Sequence, residues 1–113
     1  MIVALFRSRL RSGQNEEYRA VATRMLDLAR AMPGFVNFKS FSAEDGERVS
    51  LVEFESIATL EAWRDHPEHL EAQRAGRERF YSEYRLQVCE LVRDYGFDGQ
   101  TRSVSTPGES TGP

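Results

Sequence analysis

The chain has 113 residues, of which 40% are hydrophobic and 29% are charged, and its formal net charge is −3. This composition is typical of one soluble globular domain and excludes a disordered or membrane-embedded chain. The fifteen basic residues are scattered among eighteen acidic ones. No basic face is therefore expected, which argues against a nucleic-acid partner.

The N-terminal sequence and the cysteine content indicate a cytoplasmic protein. A run of only six apolar residues precedes Arg7, too short for a signal-peptide core or a membrane span. Cys89 is the single cysteine, so it cannot form an internal disulfide, and its place in an alternating apolar run predicts a small buried residue. We expect a reducing compartment and no membrane contact.

The first half of the chain predicts a strand, a helix and a hairpin. Met1–Leu10 has large apolar residues on both sides of an extended segment, which predicts a strand. Asn15 resembles a helix N-cap followed by two acids, and helical spacing continues to about Ala31. The strands Phe35–Phe41 and Arg48–Glu55 flank an acidic turn with a glycine and should pair as an antiparallel hairpin.

The second half predicts a broken helix and a last strand. Ser56 can cap a short helix that runs to Arg64, and Pro67 suits the first turn of a second helix that continues to about Tyr84. Arg85–Asp94 should form the fourth strand. The order βαββαβ predicts an α+β, ferredoxin-like domain with a four-stranded antiparallel sheet. After Phe97, residues 98–113 are poor in apolar side chains and are predicted to be a flexible tail.

The predicted strands carry apolar residues on both faces. In the second strand, strict alternation places Phe35, Lys39 and Phe41 on one side and Val36 and Phe38 on the other. Two helices can cover only one face of such a sheet. A second copy of the chain, packed sheet against sheet, is the simplest cover for the other face, so we expect a homodimer.

The broken helix carries polar and aromatic groups on one predicted face. These residues are Trp63, His66, His69, Gln73, Phe80 and Tyr84. A helix that only covered a sheet would present aliphatic residues here, so the pattern favours a ligand pocket. Simpler roles are also open: Trp63 as a hydrophobic plug, Phe80 and Tyr84 as core residues, and His66 as a helix cap before Pro67.

A metal site is the less favoured interpretation of the two histidines. His66 and His69, with Glu68 or Glu71, could contribute ligands. Zinc sites need three or four well-placed ligands, and two imidazoles with one outside the regular helix fall short of that. We therefore expect no bound metal.

Several ordered segments resemble the antibiotic biosynthesis monooxygenase domain. They are MPGF before the second strand, EFES-x3-LEAW, HPEH-x3-Q and RLQVCELVRDY, and the resemblance covers roughly residues 1–97. It implies a dimeric α+β barrel with a pocket between the sheet and the helices of each subunit. The family includes enzymes that oxidise anthrones and quinols with dioxygen and without a bound metal or flavin, and also haem-degrading members, so the fold alone does not fix the reaction.

The resemblance also suggests roles for individual residues. Trp63 matches a tryptophan that commonly lines the family's pocket, and His69 falls where a polar or aromatic pocket group is often seen. Oxygenation without a cofactor requires a base, a donor to the substrate anion and a dry aromatic slot. Because imidazole titrates near neutrality, His69 is the candidate base. Trp63 and Phe80 could sandwich a planar substrate, with Gln73 as hydrogen-bond donor and His66 as a further binding residue.

The haem-degrading branch fits this sequence poorly. Members of that branch combine the tryptophan with a histidine ten residues later, which follows an alanine, and with an asparagine on the first strand. Here Ala72-Gln73 and Phe6-Arg7 stand in those regions, and a carboxamide is a poor axial ligand for iron.

The sequence therefore predicts a monooxygenase that oxidises a small planar phenolic or quinol-like substrate with dioxygen and no cofactor. The alternative is a homodimer that binds a small aromatic molecule without turning it over.

Overall fold

The computed structural model describes residues 1–13 and 15–99, and the predicted tail from residue 100 onward lies outside that range. Within it, the predicted βαββαβ order is confirmed, and α1 has the predicted bounds. The elements in chain order are β1 (Ile2–Leu10), α1 (Asn15–Ala31), β2 (Phe35–Ser42), β3 (Arg48–Phe54), α2 (Ile57–Arg64), α3 (Pro67–Ala75), a π-helix (Gly76–Phe80) and β4 (Tyr81–Glu90). Asn15 was predicted to cap this helix, and its side chain lies outside the part of the chain that the structure describes.

The four strands form one antiparallel sheet in the order β2-β3-β1-β4. Its helix-facing side contributes Ala4, Val52 and Phe54 to the core, where α1 and α2 add Leu28, Ala29, Leu60 and Trp63. None of the helices in the described part of the chain is long and apolar enough to cross a membrane.

Local capping explains the predicted break between α2 and α3. The Ser56 hydroxyl accepts from the Thr59 N–H at 3.2 Å, and the Thr59 hydroxyl accepts from the Ser56 N–H at 3.1 Å. This reciprocal pair is a capping box. His66 has an extended ψ of 137°, and its Nδ1 accepts from the Glu68 N–H at 3.1 Å, with Pro67 in the first turn of α3. The second helix therefore needs its own start and cannot continue from α2.

The predicted end of α3 and the predicted span of β4 were wrong. The helix ends at Ala75 rather than near Tyr84, and β4 runs from Tyr81 to Glu90 rather than from Arg85 to Asp94. Pairing with β1 decides both limits, since Tyr81 pairs with Leu10 and Glu90 pairs with Ile2. Beyond Glu90 the neighbouring strand has ended, so the ladder stops.

One set of side-chain directions and one burial state also differ from the sequence predictions. A register shift between Phe35 and Asn37 lets Phe35 and Phe38 both pack on the core side, as a bulge in one strand allows. Cys89 is exposed rather than buried. It pairs with Val3 on the sheet face opposite the helices, a face that the described elements leave open.

Candidate functional site

A cavity of about 390 Å³ lies between the sheet and the helices. Its volume falls in the usual range for small-ligand sites. Strand residues Ala4, Phe6 and Val52 form the floor, while α1 and the α2–α3 region supply the other walls. The cavity is therefore built mainly from apolar and aromatic groups.

Trp63 lines one end of this cavity from α2. The residue is only 8% exposed. It stacks on Phe54 with ring centroids 5.7 Å apart, and its ring lies 4.3 Å from that of His69. Its indole Nε1–H is buried and has no hydrogen-bond partner among the described residues. Trp63 is thus both a packed residue and part of the cavity wall, and its buried N–H without a partner costs about 1–3 kcal/mol.

His69 reaches the same end of the cavity from the first turn of α3, two residues after Pro67. Its Nδ1 lies 2.8 Å from Gln73 Nε2, and the same amide nitrogen donates to the Arg64 carbonyl at 2.9 Å. With the amide as donor in both bonds, Nδ1 accepts and the ring proton resides on Nε2.

Burial makes His69 a much weaker base than free imidazole. Desolvation, followed by the nearby His66, lowers the pKa of His69 from 6.5 to about 4. The expectation of titration near neutrality was therefore wrong. At neutral pH the ring is uncharged and can act as a hydrogen-bonding group or accept a proton only from a fairly acidic donor.

The other predicted site residues have different outcomes. Gln73 and Phe80 line the cavity, as Trp63 and His69 do, and Phe80 is only 1% exposed. Tyr84 also lines it, but from β4 and not from a helical face. His66 is not among the lining residues and instead caps α3, the simpler of the two roles considered for it.

The prediction of the site overlooked three residues at the other end of the cavity. Tyr18, Arg48 and Tyr81 line that end from α1, β3 and β4. Tyr18 falls within the predicted first helix, and Tyr81 falls within the second helix that was predicted to continue to about Tyr84. The register of β4 against β1 places Tyr81, and the meeting of α1, β3 and β4 around the cavity brings Tyr18 and Arg48 to it. Both depend on tertiary structure.

No group of three or more His, Cys, Asp or Glu side chains in the described residues is arranged to hold a metal ion.

Comparison with known proteins identifies the family. The family model described as antibiotic biosynthesis monooxygenase matches residues 1–75. The uncharacterised protein YqjZ of Bacillus subtilis (strain 168) is 31% identical over 98 residues, covering 87% of this chain and 86% of that protein.

Solved structures agree on the fold. Rv0793 from Mycobacterium tuberculosis superposes with a TM-score of 0.74 at 20% identity, covering 82% of this chain and 96% of that one. SnoaB, a cofactor-independent oxygenase from Streptomyces nogalater, gives 0.69 at 16% identity, covering 82% and 94%. At such identities the likeness shows the fold alone. The family match over residues 1–75 and the Bacillus relative show that this chain belongs to the antibiotic biosynthesis monooxygenase family.

Proposed function

We propose that the protein is a cofactor-independent monooxygenase that oxidises a small planar phenolic or quinol-like substrate with dioxygen. Family membership supports a monooxygenase-type role, and SnoaB is a fold relative with cofactor-independent oxygenase chemistry. The observation that carries the proposal is the end of the cavity at Trp63, where a buried indole N–H has no partner in the described chain beside a neutral imidazole.

The reaction begins with the substrate as its own electron donor. Loss of a proton gives an electron-rich anion, which transfers an electron to dioxygen, and recombination forms a carbon–peroxide bond. When the carbon bears a second hydrogen, loss of that proton and cleavage of the O–O bond give a carbonyl group and water. One oxygen atom enters the product and the other leaves as water, so atoms and electrons balance.

Each proposed role follows from a contact. The role proposed for the unpartnered Trp63 N–H is to donate to the developing anionic oxygen, which requires the indole to turn its buried Nε1 toward the ligand. An apolar cavity strengthens such a bond. His69 accepts the substrate proton at Nδ1, the ring nitrogen without a hydrogen, and that atom must first release the Gln73 amide. Its low pKa makes it a weak base, so the more acidic phenols and enols should react fastest. Gln73 holds the imidazole in place through its amide, and Phe80 forms part of the aromatic wall. Gln73 is therefore a positioning residue.

Oxygen uptake by metal-stripped protein with anthrones, naphthols and hydroquinones tests this function. Trp63→Phe keeps the aromatic packing but removes the N–H, and we expect kcat to fall about 100- to 1,000-fold, the range seen when one donor to an oxyanion is lost. His69→Ala should lower kcat as well. Leu70→Ala is the matched control, because Leu70 is exposed on the same helix and is not a lining residue.

Non-catalytic binding of a small aromatic molecule is the second candidate. The low pKa of His69 is the observation that favours it, since a weak base is poorly suited to abstract a proton. Compounds that bind without any oxygen uptake would support this candidate over the monooxygenase.

We also infer that the chain works as a homodimer through the open face of its sheet. Val3, Leu5, Val49 and Leu51 lie in adjacent positions on the two central strands of that face, and Phe41 on β2 is 48% exposed. After β4, Val92 and Phe97 are 93% and 80% exposed. A second copy would remove these apolar groups from water.

A further inference from the structure

The end of the cavity away from Trp63 is lined by hydroxyl groups and one arginine. Tyr18, Tyr81 and Tyr84, here called the tyrosine end, surround it from α1 and β4. Tyr18 and Tyr81 have ring centroids 5.8 Å apart, and Phe6 lies 5.2 Å from Tyr81 on the cavity floor. Arg48 enters from the start of β3, with its guanidinium carbon 5.5 Å from the centre of the Tyr18 ring.

The charge of Arg48 has no carboxylate partner within the described residues. Arg64, the other arginine that lines the cavity, differs because it pairs with Asp65 at 3.1 Å and with Glu61 at 3.7 Å. No Asp or Glu is among the described lining residues, although the chain has eighteen acids and a net charge of −3. The cavity is thus locally positive inside an acidic protein.

The groups around Arg48 are all suited to an anion. A guanidinium presents parallel N–H donors that match the two oxygens of a carboxylate. Burial, with the neighbouring Tyr18, raises the pKa of Tyr81 above its usual range, so that phenol stays protonated and can donate. Ser40 and Ser50 line the same region and share a hydrogen bond of 3.2 Å. An uncompensated charge in a partly desolvated site favours binding of an opposite charge.

The distance between the two ends sets the length of a ligand that contacts both. Arg48 and Phe54, which stacks on Trp63, are the first and last residues of β3. Six residues along a strand separate their backbones by about 20 Å, and the long arginine side chain shortens that gap.

We propose that Arg48 and the tyrosine end bind the carboxylate of an aromatic acid, with its fused rings extending through the cavity toward Trp63 and His69. This assignment names the substrate class of the proposed monooxygenase and so rests on that function for its biological meaning. Binding itself requires no turnover and can be tested separately.

Isothermal titration calorimetry with 6-hydroxy-2-naphthoate and its methyl ester tests the proposal. The two probes share the same rings, but only the first carries a charge at pH 7.5. We expect the acid to bind wild-type protein about 10- to 100-fold more tightly, as expected for hydrogen bonds to a charged group. An ester that binds as tightly as the acid, or an acid that does not bind at millimolar concentration, would overturn the assignment.

Substitutions then identify the residue responsible. Arg48→Met should abolish the preference for the acid while leaving ester binding unchanged, and Arg48→Lys should restore part of it. Arg79→Met is the matched control, because Arg79 also lies over an aromatic ring but is paired with Glu17 and is not a lining residue. Equal weakening of both probes by Arg48→Met would contradict the proposal.

Two arrangements keep the test decisive. If Arg48→Met does not fold, as judged by circular dichroism, the wild-type comparison and Arg48→Lys decide the question. Oxygen uptake is measured in a separate experiment, so an absence of turnover with a clear preference for the acid would reject the monooxygenase and leave the anion site standing.

Discussion

His69 links the chemistry of the site to the stability of the protein. Its pKa is lowered to about 4 in the folded chain, mainly by burial, from an ordinary value of 6.5. The unfolded chain therefore takes up a proton near pH 6.5, whereas the folded protein does not do so until about pH 4. Above pH 6.5 this group does not lower the free energy of unfolding. As the pH falls toward 4, protonation of the unfolded chain lowers it progressively.

Urea unfolding between pH 7 and pH 4, at one protein concentration, measures this effect. We expect a loss of about 2–3 kcal/mol that is attributable to His69. Other groups, such as Glu68 beside Arg24, also become less stabilising in acid. The loss of stability in the wild-type protein is therefore compared with the loss in His69→Phe. That variant keeps a ring against Trp63 and does not titrate. Identical pH profiles for the two proteins would show that His69 is not held neutral by burial.

The turn between α1 and β2 shows how one element constrains another. Gly34 has a φ of +81°, and a Cβ at this position would lie 2.6 Å from the Thr59 side chain. Thr59 is the residue that completes the capping box of α2 with Ser56. Gly34 thus allows the turn to pack against the start of the next helix.

Gly13 provides a matched comparison, because its φ is +85° and a Cβ there would meet nothing within 4 Å. Alanine at Gly13 should cost about 1–2 kcal/mol from backbone strain alone. At Gly34 the clash with Thr59 adds to that strain, so Gly34→Ala should lower the free energy of unfolding by at least about 1 kcal/mol more. Equal losses in urea titrations would mean that the Thr59 side chain moves aside without cost.

At the scale of the whole molecule, the open face of the sheet predicts the assembly state. Light scattering at micromolar concentration should give twice the mass of one chain. Leu51→Lys places a charge at the centre of that face and should produce monomers, because an unpaired charge in an apolar interface is costly. Leu70→Lys, on the exposed side of α3, is the control and should leave the mass unchanged. A wild-type monomer would remove the basis for the dimer.

Local sequence determined the order of elements and most of their limits. Helical spacing gave the bounds of α1, the hairpin turn gave β2 and β3, and Ser56 and Pro67 marked the starts of α2 and α3. These features depend on residues close together in the chain, where capping and turn preferences act. The same reasoning brought Trp63, His69, Gln73 and Phe80 to one cavity, because all four belong to one helical region.

Tertiary structure decided what depends on distant partners. The start of β4 at Tyr81, the exposure of Cys89 and the bulge in β2 all follow from pairing with neighbouring strands, which local propensity does not specify. The low pKa of His69 requires the surrounding walls. Arg48 joins the cavity only because β3, α1 and β4 meet around it, so the charged end of the site is a product of the fold.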